Sequence, residues 1–207
     1  MFLLFSLYAF WSTPNLVRAQ GRLTPAESVA SQYSLATSTS IPFPTATLSN
    51  SDATNFIQSN NIWSLSKGRI QNGANDTAFV TDPFPNSPTP GLAPINNSGP
   101  VLQVTYPAGG LGPNGGMQSY SLWNTSDGSA FNSMLLSYEL AFDAGFDWVK
   151  GGKLPGLRGG PNPDGCSGGN EPNGTDCFST RLMWRQNGAG EGKQIIGFTR
   201  SLIFSFL

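Results

Sequence analysis

Residues Cys177–Arg185, CFSTRLMWR, alternate with a period of two. Successive side chains of a strand point to opposite faces. Phe178, Thr180, Leu182 and Trp184 therefore share one face, and Ser179, Arg181, Met183 and Arg185 share the other. The first face suits a core. The second is either an ordinary solvent-facing surface or a rigid platform carrying a hydroxyl and two guanidinium groups.

Working outward, similar short apolar runs recur: NIWSLSKGRIQ at 61–71, TAFVTD at 77–82, VLQVTYP at 101–107, MQSYSLWN at 117–124 and SMLLSYELAF at 133–142. Turn-forming clusters such as PNSPTPG, PAGGLGPNGG and NTSDGSA separate them. Regularly spaced strands with Gly/Pro/Asn turns predict an all-β fold, a β-sandwich or a jelly roll. The composition agrees: 25 Gly, 16 Pro and no long amphipathic helical pattern in 207 residues. That length suffices for one domain with a substantial core, and no internal repeat is evident.

A net charge of −1 excludes a nucleic-acid partner, and the absence of His removes the commonest metal ligand and the commonest general base. No cofactor or metal is expected. Acid–base chemistry would have to use Tyr, Lys, a carboxylate or water. The few charges are unevenly placed. Seven of the eleven basic residues (Lys150, Lys153, Arg158, Arg181, Arg185, Lys193 and Arg200) lie at or after position 150, against four of the twelve acidic ones. Three of them sit in the glycine-rich bend FDWVKGGKLPGLRGG, residues 146–160. Lysines commonly just solvate loops. A bend carrying Lys that faces a sheet carrying Ser and Arg would instead form a cationic groove for an anionic ligand, with glycines admitting close approach.

The N-terminus reads as an export signal over 1–19, with apolar FLLFSLYAFW at 2–11 and small residues Val17 and Ala19 before the cleavage point. Ten apolar residues are too few to span a bilayer; the alternative is an apolar strand of the mature fold. Sequons at Asn75, Asn96, Asn124 and Asn173 corroborate export. In that compartment Cys166 and Cys177 are expected to form a disulfide that staples CSGGNEPNGTDC. Residues 20–54, rich in Ser, Thr, Ala and Pro, read as a flexible leader, and the folded domain is placed at 55–191.

FDWVKGGKLPGL, CSGG, CFSTRLMWR and GAGE, in that order, resemble the polysaccharide lyase family 14 domain, especially its fungal secreted members. The resemblance covers about residues 100–191. It implies a jelly roll with a cleft across the concave sheet, no cofactor, and β-elimination of polyuronates such as alginate or glucuronan. Carried across by motif, it implies Lys153, Ser179 and Arg181 as the catalytic set. Lys153 and Arg181 would neutralise the uronate carboxylate, which acidifies the neighbouring C5 proton, and Ser179 would hydrogen-bond the substrate. Lys150, Arg158 and Arg185 are candidate contacts to neighbouring residues of an anionic polysaccharide. The expected state is a secreted, extracellular monomer with no membrane contact after signal removal.

The family also supplies two alternating tyrosines just after GAGE. Here GKQIIGFTRSLIFSFL follows instead, and no Tyr occurs after Tyr138. Residues 192–207 have two readings: a genuine final strand, since IIGFTRSLIFSFL is apolar and β-prone, or, the preferred one, a hydrophobic tail foreign to the family that replaces the end of a truncated domain. The chain is expected to lack its proton-transfer residues and most of its activity. Three further readings stand beside the lyase: a non-catalytic module binding acidic glycans, a structural surface glycoprotein, and a hydrolase using Glu139 with Asp143 or Asp147.

Overall fold

The computed structural model of the chain describes residues 24–59, 63, 70–85, 99–123, 127–129, 131–162, 165–166 and 170–196, together with the backbone of 2–5; for 193–196 only the backbone is considered. In chain order the elements are β1 (Phe2–Phe5), α1 (Ala26–Gln32), α2 (Asn50–Ser59), β2 (Ile70–Asn72), β3 (Thr77–Val80), β4 (Val101–Val104), β5 (Gln118–Ser119), β6 (Glu139–Ala141), β7 (Gly152–Lys153), β8 (Arg158–Gly159), β9 (Phe178–Trp184) and β10 (Gly190–Ile196). Each of the six strand runs read from sequence overlaps one of these strands, while β1, β7, β8 and β10 lie outside those runs. Among the described residues the architecture is all-β with two short α-helices.

Three sheets form. The first has the order β3-β4-β1-β6, the second β10-β9-β7 with β8 also on β9, and the third pairs β2 with β5. Every pairing is antiparallel. The first sheet contributes Phe79, Leu102 and Val104 to the core, the second contributes Trp184, and Leu154 joins them from the residue directly after β7. Around Trp184 the rings of Tyr106, Phe142, Phe146 and Trp148 cross edge to face, Tyr106 at 5.3 Å and Phe142 at 5.5 Å between centroids. Such geometry sets the positive edge of one ring against the negative face of the next. Within β9 the expected alternation holds on the core side: Thr180 and Trp184 are buried and Leu182 packs against the core.

The N-terminal boundary lies earlier than composition implied. Leu48 bridges Phe79 through two backbone hydrogen bonds of 2.9 and 3.0 Å, and Phe43 packs its ring 5.5 Å from that of Phe79. Helix α2 then starts inside the expected leader. Ser49 donates to the Asp52 carboxylate at 2.9 Å, placing an anion in the first turn where the helix dipole favours it. Ala53 and Ile57, one turn apart, are fully buried on one face. Two apolar anchors among Ser and Thr suffice to dock the segment, which an average over the window conceals.

Two other differences concern the ends of the reading. The first residues of the expected signal, Phe2–Phe5, pair with both β4 and β6 inside the first sheet. At the other end β10 does not stop at Glu191: it pairs residue for residue with β9 from Gly190↔Trp184 to Ile196↔Phe178. Glycines at 190 and 192 do not interrupt it, because a seven-residue partner strand supplies the backbone bonds.

Candidate active site

The site is built on β9. Residues paired directly in an antiparallel ladder place their side chains on the same side of the sheet. Lys153 pairs with Met183, and Arg158 pairs with Ser179. On the other flank Glu191 pairs with Met183, and Lys193 is the register partner of Arg181. Ser179, Arg181 and Met183 share β9 parity, so Lys153, Arg158, Ser179, Arg181 and Glu191 project from one face, opposite the face that buries Thr180 and Trp184. Ser179 is buried beneath this layer and Lys153 is exposed.

Tertiary bonds hold the bend against β9. Leu154 N–H donates to the Leu182 carbonyl at 2.8 Å, and Thr180 N–H donates to the Leu157 carbonyl at 2.8 Å. The Thr180 hydroxyl lies 3.3 Å from both Leu157 N and Leu157 O, so this buried polar group is satisfied by the same segment. Leu154 is buried in the core between its exposed neighbour Lys153 and Pro155, whose carbonyl accepts the Tyr138 hydroxyl at 2.9 Å. Lys153 thus stands on a strand tethered on both sides.

The glycines of the bend serve this packing. A Cβ on Gly152 would enter the Trp184 indole, and one on Gly156 would overlap the Thr180 carbonyl. On Gly159 it would lie 2.8 Å from the Phe178 ring. Their role is close approach of backbone to β9, where the sequence suggested close approach to a ligand.

The outer cations divide between the two ends of the face. Arg185 forms an ion pair with Glu191 at 2.5 Å, half-exposed, and the hydrogen bond to Glu191 raises the guanidinium pKa. Gly151 lies against Arg185, which brings the exposed Lys150 to this end. At the other end the Arg158 guanidinium lies 5.1 Å over the ring of Tyr120. Gln118 Nε2 donates to Tyr120 Oη at 2.5 Å. Tyr120 was absent from the residues read as site candidates. Its period-two spacing from Gln118 was visible, but the meeting of two separate sheets was not.

The remaining predicted residues fall elsewhere. Glu139 is buried on β6, whereas Asp143 and Asp147 are exposed beyond its end, so no carboxylate pair lines one strand face. Cys166 and Cys177 form the expected disulfide, with Cα atoms 5.7 Å apart, immediately before β9. Asn75 and Asn173 are exposed; Asn96 and Asn124 lie outside the described residues. Among the described residues no group of His, Cys, Asp and Glu is arranged to hold a metal ion, and no helix is long and apolar enough to cross a membrane.

The family model for polysaccharide lyase 14 matches residues 94–198, just over half of the chain. The match contains the basic face, the disulfide and all of β10, running seven residues past Glu191, where the motifs alone had suggested that family likeness ends. No curated protein and no solved structure matches the chain. With β7 to β10 and their cationic layer inside the matched region, the chain belongs to polysaccharide lyase family 14.

Proposed function

We propose that the chain acts on uronate-containing polysaccharides of the alginate or glucuronan type, cleaving them by β-elimination on the β9 face. The observation that carries this reading is the register that gathers Lys153, Arg158, Ser179 and Arg181 on one side of one sheet. A uronate C5–H is a weak acid until the adjacent carboxylate is neutralised, and preorganised cations supply that neutralisation without reorganising. Lys153 and Arg181 bind the carboxylate, with the planar Arg fork suited to bidentate contact. Ser179 hydrogen-bonds the substrate, while Arg158 and the Lys150–Arg185 end contact neighbouring uronates.

The test uses the full chain on soluble alginate and glucuronan, following ultraviolet absorbance of the unsaturated uronate product. Lys153→Ala and Arg181→Ala are each expected to lower turnover at least about a hundredfold, as expected for lost electrostatic stabilisation, and a neutral β-glucan should be untouched. Equal turnover in wild type and both variants would overturn the reading. A second reading, a non-catalytic acidic-glycan module, is favoured by the lack of any Tyr after Tyr138. It predicts polyuronate retention that depends on Lys153 and Arg181, with no unsaturated product.

The apolar start, the sequons and the disulfide support a secreted glycoprotein. Cleavage after residue 19 would remove β1 and open the facing edges of β4 and β6. Mass spectrometry of the exported protein decides this: a mature chain retaining Phe2–Phe5 would refute signal cleavage.

A further inference from the structure

Elimination needs a group that takes the C5 proton and returns one to the departing oxygen, and the chain has no His to do so. Of the four tyrosines within the described residues, Tyr106 and Tyr138 pack their rings against the hydrophobic core, where desolvation raises both phenol pKa values, and the Tyr138 hydroxyl is committed to the Pro155 carbonyl. Tyr33 caps the C-terminal end of α1. Tyr120 differs from all three in position: it is not packed against the core cluster, and its ring lies under Arg158, whose register partner is Ser179. Its backbone is tethered on both sides, since Ser119 pairs with Ile70 in the third sheet and the Ser121 hydroxyl donates to the carbonyl of the buried Trp63.

The carboxylates are less well placed. Glu191 is paired with Arg185, Glu139 is buried in another sheet, and Asp143 and Asp147 are exposed and belong to no strand of the sheet that carries the basic face.

Resting on the elimination reading above, we propose that Tyr120, presented beside Arg158 at the Ser179 end of the β9 face, is the catalytic proton carrier of this chain. In its ionised form the phenol oxygen takes the C5 proton. The C5–H electron pair becomes the C4=C5 double bond, and the C4–O4 bond breaks with its pair moving to O4. The phenol then returns the proton to O4, so no proton is consumed. Gln118 Nε2 orients the phenol oxygen, and Arg158 supplies the counter-charge.

The experiment measures kcat, KM and polyuronate binding for wild type, Tyr120→Phe and Lys153→Ala on the substrate cleaved by the wild type. Tyr120→Phe keeps the ring under Arg158 and should lower kcat at least about a hundredfold while KM and binding stay within about threefold. Lys153→Ala should weaken binding as well. If Tyr120→Phe retains kcat within about threefold while Lys153→Ala loses it, the assignment of Tyr120 is overturned and the lyase reading stands. A wild-type chain that cleaves no polyuronate overturns both.

Discussion

The sheets containing β4 and β9 are both antiparallel, yet they spend their residues differently. In β3 and β4 the buried positions carry Phe79, Val101, Leu102 and Val104, with Thr77 as the one polar member, and side chains fill the space between the layers. Next to β9, glycine stands at 152, 156 and 159, and the spacing is set by backbone against backbone or ring. The contrast shows how this chain makes a polar face from a short sheet. Trp184 and Thr180 anchor one side, glycines let the bend close over them, and the long side chains of Lys153, Arg158 and Arg181 are left for the other.

The comparison can be broken most severely at its anchor. Trp184→Ala removes the ring on which Tyr106, Phe142, Phe146 and Trp148 converge, and is expected to cost about 3–5 kcal/mol in denaturant unfolding. Reducing the Cys166–Cys177 bridge, or replacing both cysteines by Ser, should cost about 2–4 kcal/mol by freeing the loop before β9 in the unfolded chain. Gly156→Ala forces a methyl against the Thr180 carbonyl and should cost about 1–3 kcal/mol. Adding the same carbon at Gly109, which has open space but a φ of 73°, tests backbone strain without that clash.

A smaller effect separates the rings by pH. Burial raises the pKa of Tyr106 and Tyr138 in the folded state above the ordinary value of 10.0. Both groups then bind more protons folded than unfolded once the unfolded chain begins to ionise. The stability they contribute is complete below about pH 10 and declines as pH rises beyond it. Urea unfolding of wild type should weaken above that pH, and Tyr138→Phe should flatten the decline. Smallest of all, Arg181→Ala should change stability by less than about 0.5 kcal/mol, although the same substitution should abolish most turnover. A large loss of stability would mean that Arg181 is part of the packing and would blur the contrast between the two sheets.

Much of this was legible in the residues. The alternation in CFSTRLMWR placed Trp184 and Thr180 inward and Ser179 and Arg181 outward, because a strand has only two faces. Strand positions followed from apolar runs between turn residues, and the disulfide from two cysteines closing a short loop. Leu48, Ala53 and Ile57 were not legible as core, since a Ser/Thr-rich window averages away the few residues that dock. The continuation of β10 was only half legible: the apolar, β-prone run from Ile195 allowed a strand, but what extends a strand is its partner, and GKQII has no motif of its own.

By itself, then, the sequence determined the chemistry available: no imidazole, a surplus of cations after residue 150, and a strand able to carry Ser and Arg on one face. Periodicity is local, and these are local or additive properties. Tertiary structure alone decided that Lys153 and Arg158 flank that strand in register, that the glycines serve packing, and that Arg158 covers Tyr120. Those outcomes depend on pairing between segments up to some tens of residues apart, where register is set by the whole buried surface rather than by any one run of residues.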